Sequence, residues 1–376
     1  MRITRISHLF YPDIISDYLA EFSMRQVKMG HEVDVLTWNK NKRYPEESIA
    51  DGFTIRRLAG FNFSVDGIVT DYPYLPNLPN RIAQLKPEII HAESHLFLTT
   101  AQAIKKAKKL SIPSVATVHG VMAERNAFVN LAQYVYLYTV GSWIFKNVDR
   151  IICLTESDAR EIISYRCPSE KIRIIPNAVD TSRFKPAMEC QENLVVWVGR
   201  FVPEKGLDYL IEAAKIVARE FKDVEFMLVG YGPLRGNFRK LAYHFGLLNN
   251  VIRFAGPLGR DQVANILGKA SVFVLPSLKE GLPLSLLEAM ACGKPVIGSD
   301  VSGINDVIIH GENGILVPPR KPETLAHWIL TLLNDENLRK RLGQTARQRI
   351  VEKYSWNMVL NKLENIYWEI LNETRK

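Results

Sequence analysis

Short apolar runs alternate with stretches of helical spacing along the whole chain. In the first half, the runs Ile3–Ser7, Glu32–Thr37, Ile89–Ala92, Ser114–Thr117 and Arg150–Leu154 predict strands. Between them, Ile14–Met29, Leu96–Leu110 and Ser157–Ser164 carry the spacing of helices. Strand–helix–strand alternation predicts parallel βαβ units, and the apolar strand cores fit burial on both faces. The pattern stops near Pro176–Glu192, where Pro176, Asn177 and Pro186 mark loops. It then restarts. Strands are predicted at Leu194–Gly199, Glu225–Val229, Val251–Phe254, Val272–Leu275 and Pro295–Ser299, with helices at Leu207–Phe221, Leu234–Phe245, near Gln262–Leu267 and at Leu284–Cys292. From Pro322 onward the chain reads as helical and charged. Two α/β domains of similar build follow, and the absence of a short repeat period excludes a solenoid.

Composition narrows the class. At 376 residues the chain is long enough for two cores, and 47% apolar with 23% charged residues excludes disordered, collagen-like and disulfide-scaffold proteins. Cys153, Cys167, Cys190 and Cys292 are far apart and form no C-x-x-C pair, so they read as free thiols in a reducing compartment. The net charge of +8 is spread along the chain without a recognition motif, which argues against nucleic acid. It suits a phosphorylated small molecule or an anionic membrane surface. Arg2 and Arg5 interrupt the start and speak against a signal peptide. The expected location is the cytoplasm, at the inner face of the cell membrane if the acceptor lies there. Ala127–Phe145 is uncharged over nineteen residues and holds Tyr134, Tyr136, Tyr138 and Trp143. Three readings are open for it: a spanning helix, a packing helix, or a helix that meets a membrane interface or an acceptor.

Four motifs sit where strands end. Gly199-Arg200-Phe201-Val202-Pro203-Glu204-Lys205-Gly206 follows a strand and precedes a helix. Ligands of open parallel sheets lie beyond the carboxyl ends of strands, and two cations there can clamp a diphosphate. The plainer alternative is a solvated loop. Val229-Gly230-Tyr231-Gly232-Pro233 has the same placement, and its glycines allow close backbone approach. As a dinucleotide fingerprint it fails, because Gly236 comes one residue too late and no acid follows about 20 positions on. In Pro276–Glu288, Glu280 falls in a loop and Glu288 in the following helix, eight residues later. Carboxylates so placed accept hydrogen bonds from sugar hydroxyls. Two solvated glutamates are the alternative, weakened by the small apolar run Ala289–Cys292 after Glu288. His119, in Thr117-Val118-His119-Gly120, follows a strand of the first domain and would face a cleft between domains. A structural histidine is the commoner case.

Together these motifs resemble the retaining glycosyltransferases of family 4, which have the GT-B fold. Further echoes are Gly30-His31-Glu32-Val33, Lys86–His91, Pro113–Gly120 and Ile175–Asp180, and the strongest runs from Glu280 through Ala291-Cys292-Gly293-Lys294-Pro295-Val296-Ile297. The resemblance implies two Rossmann-like domains facing a central cleft: an acceptor-binding one over 1–187 and a nucleotide-sugar-binding one over 188–352. A helix over 353–376 would return to the first. It implies hexose transfer from a UDP- or GDP-sugar to a glycan or lipid-linked acceptor with retention of configuration. Arg200 and Lys205 would hold the diphosphate, Glu280 would lie near the donor sugar, and Glu288 would bind ribose. Gly199, Gly230, Gly232, Leu284 and Ser285 would line the nucleotide site, and His119 would touch the reacting sugar. No metal or other cofactor is expected, since no D-x-D motif occurs and cations with helix N-termini can neutralise the charge. A nucleotide-sugar epimerase, a sugar phosphorylase and a non-catalytic nucleotide-sugar-binding protein are the alternatives. One departure stands out: after the first strand, where many family members have a glycine pair, the chain reads Tyr11-Pro12-Asp13-Ile14-Ile15-Ser16-Asp17. Asp13 and Ser16 are weak acceptor-side candidates there.

Overall fold

A computed structural model describes residues 1–10, 18–40, 42, 44–63, 71–121 and 127–374. Asp13, Ser16 and the first residues of the expected helix Ile14–Met29 lie outside them. Two compact units are formed: Met1–Ile175 with Leu360–Lys376, and Pro176–Val359.

In the first unit, β1 (Arg2–Ile6), β2 (Glu32–Trp38), β3 (Glu47–Ala50), β4 (Phe53–Leu58), β5 (Phe61–Asn62), β6 (Pro73–Tyr74), β7 (Ile89–Glu93), β8 (Ser114–Val118), β9 (Arg150–Cys153) and β10 (Ile172–Ile174) alternate with helices. These are α1 (Tyr18–Lys28), α2 (Leu78–Leu85), α3 (Leu98–Leu110), α4 (Ala127–Tyr136), α5 (Ser142–Asn147) and α6 (Glu156–Ser164). The main sheet runs β10-β9-β8-β7-β1-β2-β4-β3 and is parallel except for β3. The chain winds outward from β1 through β2 to β4, then returns to β7 and winds the other way. That reversal between β1 and β7 is the switch point of a doubly wound sheet. The strands read as apolar runs because helices cover both faces. β3 and β4 escape that reading: β4, next to the edge strand β3, alternates, and Arg57 at an inward position is buried with its guanidinium over the Tyr44 ring at 5.2 Å.

The stretch 127–145 is helical throughout but not regularly α-helical. α4 gives way to a π turn over Leu137–Gly141 and then to α5. Leu137, Ile144 and Phe145 are fully buried, while Leu131, Tyr134, Val135, Tyr138 and Trp143 are exposed. Among the described residues no helix is long and apolar enough to cross a membrane.

The second unit carries one parallel sheet, β13-β12-β11-β14-β15-β16, built from β11 (Leu194–Arg200), β12 (Glu225–Tyr231), β13 (Ile252–Gly256), β14 (Val272–Leu275), β15 (Val296–Ser299) and β16 (Ile315–Val317). Its switch point lies between β11 and β14. The helices are α7 (Leu207–Glu220), α8 (Arg235–His244), α9 (Arg260–Lys269), α10 (Leu284–Ala291), α11 (Pro322–Asn334), α12 (Glu336–Lys353) and α13 (Trp356–Thr374). From Leu360 onward α13 belongs to the first unit. Leu360, Leu363, Tyr367, Ile370 and Leu371 form its buried stripe, at the three- and four-residue spacing of an amphipathic helix. The Tyr367 hydroxyl reaches His91 Nδ1 at 2.5 Å, and Arg150 and Arg173 donate to Glu369.

Candidate functional site

In the second unit the site is assembled at the carboxyl ends of β11 and β14. β11 ends in Gly199 and Arg200, a short turn Pro203–Lys205 follows, and Gly206 at φ +58° starts α7. Pro276–Pro283 links β14 to α10. The two loops are fastened together. Leu278 N donates to Glu204 O at 2.8 Å, and a Cβ on Gly206 would lie 2.2 Å from Pro276 O, so only glycine fits.

Across this seam Lys205 Nζ donates to Glu280 Oε1 at 2.5 Å, and Ser277 Oγ donates to the same oxygen at 2.6 Å. Both charged side chains are largely shielded. Among the described residues nothing bonds Glu280 Oε2, so that oxygen is free to accept from a ligand hydroxyl. Arg200 is exposed, and its guanidinium has no partner among the described residues. Glu288 is buried in α10 and accepts from Arg260 Nη2 at 3.1 Å. It is therefore not one of two solvated glutamates. Leu284 and Ser285 are half-buried in the first turn of α10, which no side chain caps and no acid occupies. Such a helix start favours an anion.

Gly230 and Gly232 have a packing reason of their own. β12 pairs with β11 in register, Gly199 opposite Gly230. A Cβ on Gly230, at φ +139°, would lie 1.8 Å from Gly199 O; one on Gly232 would meet Phe201 O at 2.5 Å. Gly230→Ala is expected to push the end of β11 away, destabilising by about 2–4 kcal/mol and moving Arg200. Urea unfolding together with transfer rates checks this; an unchanged midpoint with unchanged activity would show that the strand ends are not held this way.

In the first unit, the switch point between β1 and β7 holds a second set of charges. Arg5 of β1 is fully buried and ion-paired with Glu93 at the end of β7, and its Nη2 donates to Gln26 Oε1 at 2.7 Å. His119, just past β8, donates from Nε2 to Glu93 Oε2 at 2.8 Å and is about one-third exposed. Burial alone would raise the Glu93 carboxyl, but Arg5 above all, then His91 and His119, hold it well below the usual carboxylate range. The carboxylate thus fixes which ring nitrogen of His119 carries the proton and how the ring points. Sequence reasoning singled out His119 and missed Glu93, Arg5 and His91. The available signal was Arg5 itself, a charge inside a strand buried on both faces, which requires a buried counter-charge.

Two further histidines set an acid limit. Burial pushes His91 down to about 3 and His95 to about 4, from 6.5. The folded state keeps both neutral while the unfolded chain binds protons below about pH 6.5, so stability falls as pH drops from there towards 4. The expected slope is up to about 3 kcal/mol per pH unit for the two together. Urea midpoints measured from neutral pH down to about pH 5 test it, and a flat profile would contradict neutral burial.

The family model for glycosyl transferases group 1 matches residues 178–349, and the model for glycosyltransferase family 4 matches 15–183. An uncharacterized glycosyltransferase of Methanocaldococcus jannaschii is 33% identical over 266 residues, 70% of this chain and 70% of its own length. The chain belongs to the family 4, group 1 glycosyltransferases. Its fold is shared with solved structures at low identity. Sucrose-phosphate synthase of Thermosynechococcus elongatus superposes with a TM-score of 0.80 at 22% identity over 99% of both chains. The Anabaena protein HepE, solved in complex with UDP, gives 0.78 at 16% identity over 98% of this chain and 100% of its own. This glycosyltransferase is thus of the GT-B fold. Within its second unit the structure brings Lys205 and Glu280 into contact with each other. Glu288 pairs separately with Arg260, and Arg200 stands apart, without a partner among the described residues.

Proposed function

We propose that this glycosyltransferase moves a hexose from a UDP- or GDP-sugar to a glycan or lipid-linked acceptor, with retention of anomeric configuration and without a metal ion. One observation carries the reading: an unpaired, exposed Arg200 at the same sheet edge as the Lys205–Glu280–Ser277 cluster. A cation without a protein partner at the switch point of a parallel sheet fits an anionic ligand group. The bond from the anomeric carbon to the β-phosphate oxygen breaks, the oxygen of an acceptor hydroxyl takes its place and gives its proton to the departing diphosphate, and the nucleoside diphosphate leaves. Arg200, Lys205 and the uncapped start of α10 would stabilise the charge that develops on that diphosphate. Glu280 Oε2 would accept from a hydroxyl of the transferred sugar, and Glu288 from the ribose. His119, aimed by Glu93, would meet the sugar from the first unit. HepE, whose fold is similar, was solved with UDP, which supports a nucleoside diphosphate as the donor's leaving group.

The test is stabilisation by UDP, GDP and ADP, each with and without EDTA. Ligand at about 100 Kd adds about 2.7 kcal/mol, a readable rise in melting temperature. A response to UDP or GDP that survives EDTA and is lost in Arg200→Ala is expected. Silence with all three would remove the donor site, and a response that needs divalent metal would overturn metal independence. The anomer of the product, read by NMR, decides retention.

A further inference from the structure

We infer that the face of the first unit formed by α3, the π turn and the exposed side of α4 and α5 docks on an anionic lipid bilayer. The inference deepens the acceptor part of the function proposed above, towards a lipid-linked acceptor. α4 presents Leu131 and Val135 at 61% and 57% exposure, and Trp143 of α5 continues the stripe at 37%. Tyr134 and Tyr138 flank it and are also exposed. The polar group on the stripe, Thr139 Oγ1, donates back to Val135 O at 2.6 Å and so offers little to water. An apolar face of this kind with no charge from Ala127 to Phe145 is unusual on a protein surface that meets only water.

Beside the stripe runs a groove of about 860 Å³ between α3 and the π turn. Trp143 and Val140 line one wall, and Lys105, Lys106 and Lys109 of α3 line the other. Among the described residues no acidic side chain lines it, and none of the three ammonium groups has a partner. Apolar and aromatic side chains beside unpaired lysines match the layering of a bilayer surface. Leu131, Val135 and Trp143 would enter the acyl boundary, tyrosines would sit at headgroup depth, and the lysines would meet lipid phosphates. A soluble anion would leave the apolar stripe uncovered, whereas a bilayer covers both parts at once.

The experiment is co-sedimentation of the full chain with phosphatidylcholine vesicles, with and without phosphatidylglycerol. Binding to the phosphatidylglycerol vesicles should exceed that to pure phosphatidylcholine by at least about tenfold and weaken as salt shortens the screening length. K105Q/K106Q/K109Q should lower binding about fivefold per lysine, on the order of a hundredfold in total. L131S/V135S/W143S should abolish it. These positions are at the surface, so melting temperatures and UDP-dependent stabilisation should match wild type. No binding to phosphatidylglycerol vesicles at low salt, or binding that neither variant changes, would overturn the inference. So would a wild-type dimer that the serine variant converts to monomer, which would make the face a contact between copies. Loss of UDP stabilisation in the wild type would count against the donor reading and leave the membrane result standing.

Discussion

Arg200→Ala is expected to leave the melting temperature unchanged and to lower turnover by roughly 10²–10³-fold. Arg200 is exposed and its guanidinium has no hydrogen-bond or ion-pair partner among the described residues, and surface substitutions of that kind stay within about 0.5 kcal/mol. Loss of one preorganised charge aimed at a developing anion costs about 3–4 kcal/mol of barrier. Lys205→Ala should lower turnover as much but also cost stability, because it leaves the shielded Glu280 carboxylate held by Ser277 alone. Glu288→Ala should raise the KM for donor with little change in kcat, since the ribose contact proposed for it would be made equally in ground and transition state. Steady-state kinetics with melting curves on the three variants separate these outcomes. Equal, small effects would sink the assignment of roles.

The second large effect concerns the buried pair in the first unit. Glu93→Ala should destabilise by about 3–5 kcal/mol, because it strands the fully buried Arg5 guanidinium without a counter-charge. Removing both charges with apolar residues of similar volume, as in R5M/E93L, should recover most of that stability. It should not recover turnover, because His119 would still lack the carboxylate that its Nε2 donates to at 2.8 Å. Glu93 is in this sense a positioning residue. Glu93→Gln, which keeps an oxygen acceptor but not the charge, should retain more activity than R5M/E93L at lower stability. If the double variant regained turnover along with stability, the Glu93–His119 contact would be structural only.

Much of this was legible in one dimension. A strand such as Val272–Leu275 announced itself because both of its faces are covered, so every residue is apolar. β4 was not legible, because Arg56 and Arg57 break its run; Arg56 pairs with Asp34 of the neighbouring strand, and Arg57 turns inward onto Tyr44. The 127–145 stretch was legible as unusual, but its π turn was not, since a π turn leaves no mark in composition. Arg200, Lys205 and Glu280 were singled out because each lies at, or within five positions of, a strand end, where chain order itself marks the carboxyl edge of the sheet.

The sequence alone determined the two doubly wound units and the family, because apolar periodicity and local spacing are one-dimensional properties. Only the tertiary structure decided the partners. Glu93 stands 88 positions from Arg5 and 26 from His119. They meet because the parallel sheet sets β1, β7 and β8 side by side at its switch point. Lys205 and Glu280 are 75 apart and meet because β11 and β14 are neighbours. A crossover connection places strands distant in sequence next to each other, and the energy of a buried ion pair depends on that distance in space rather than along the chain.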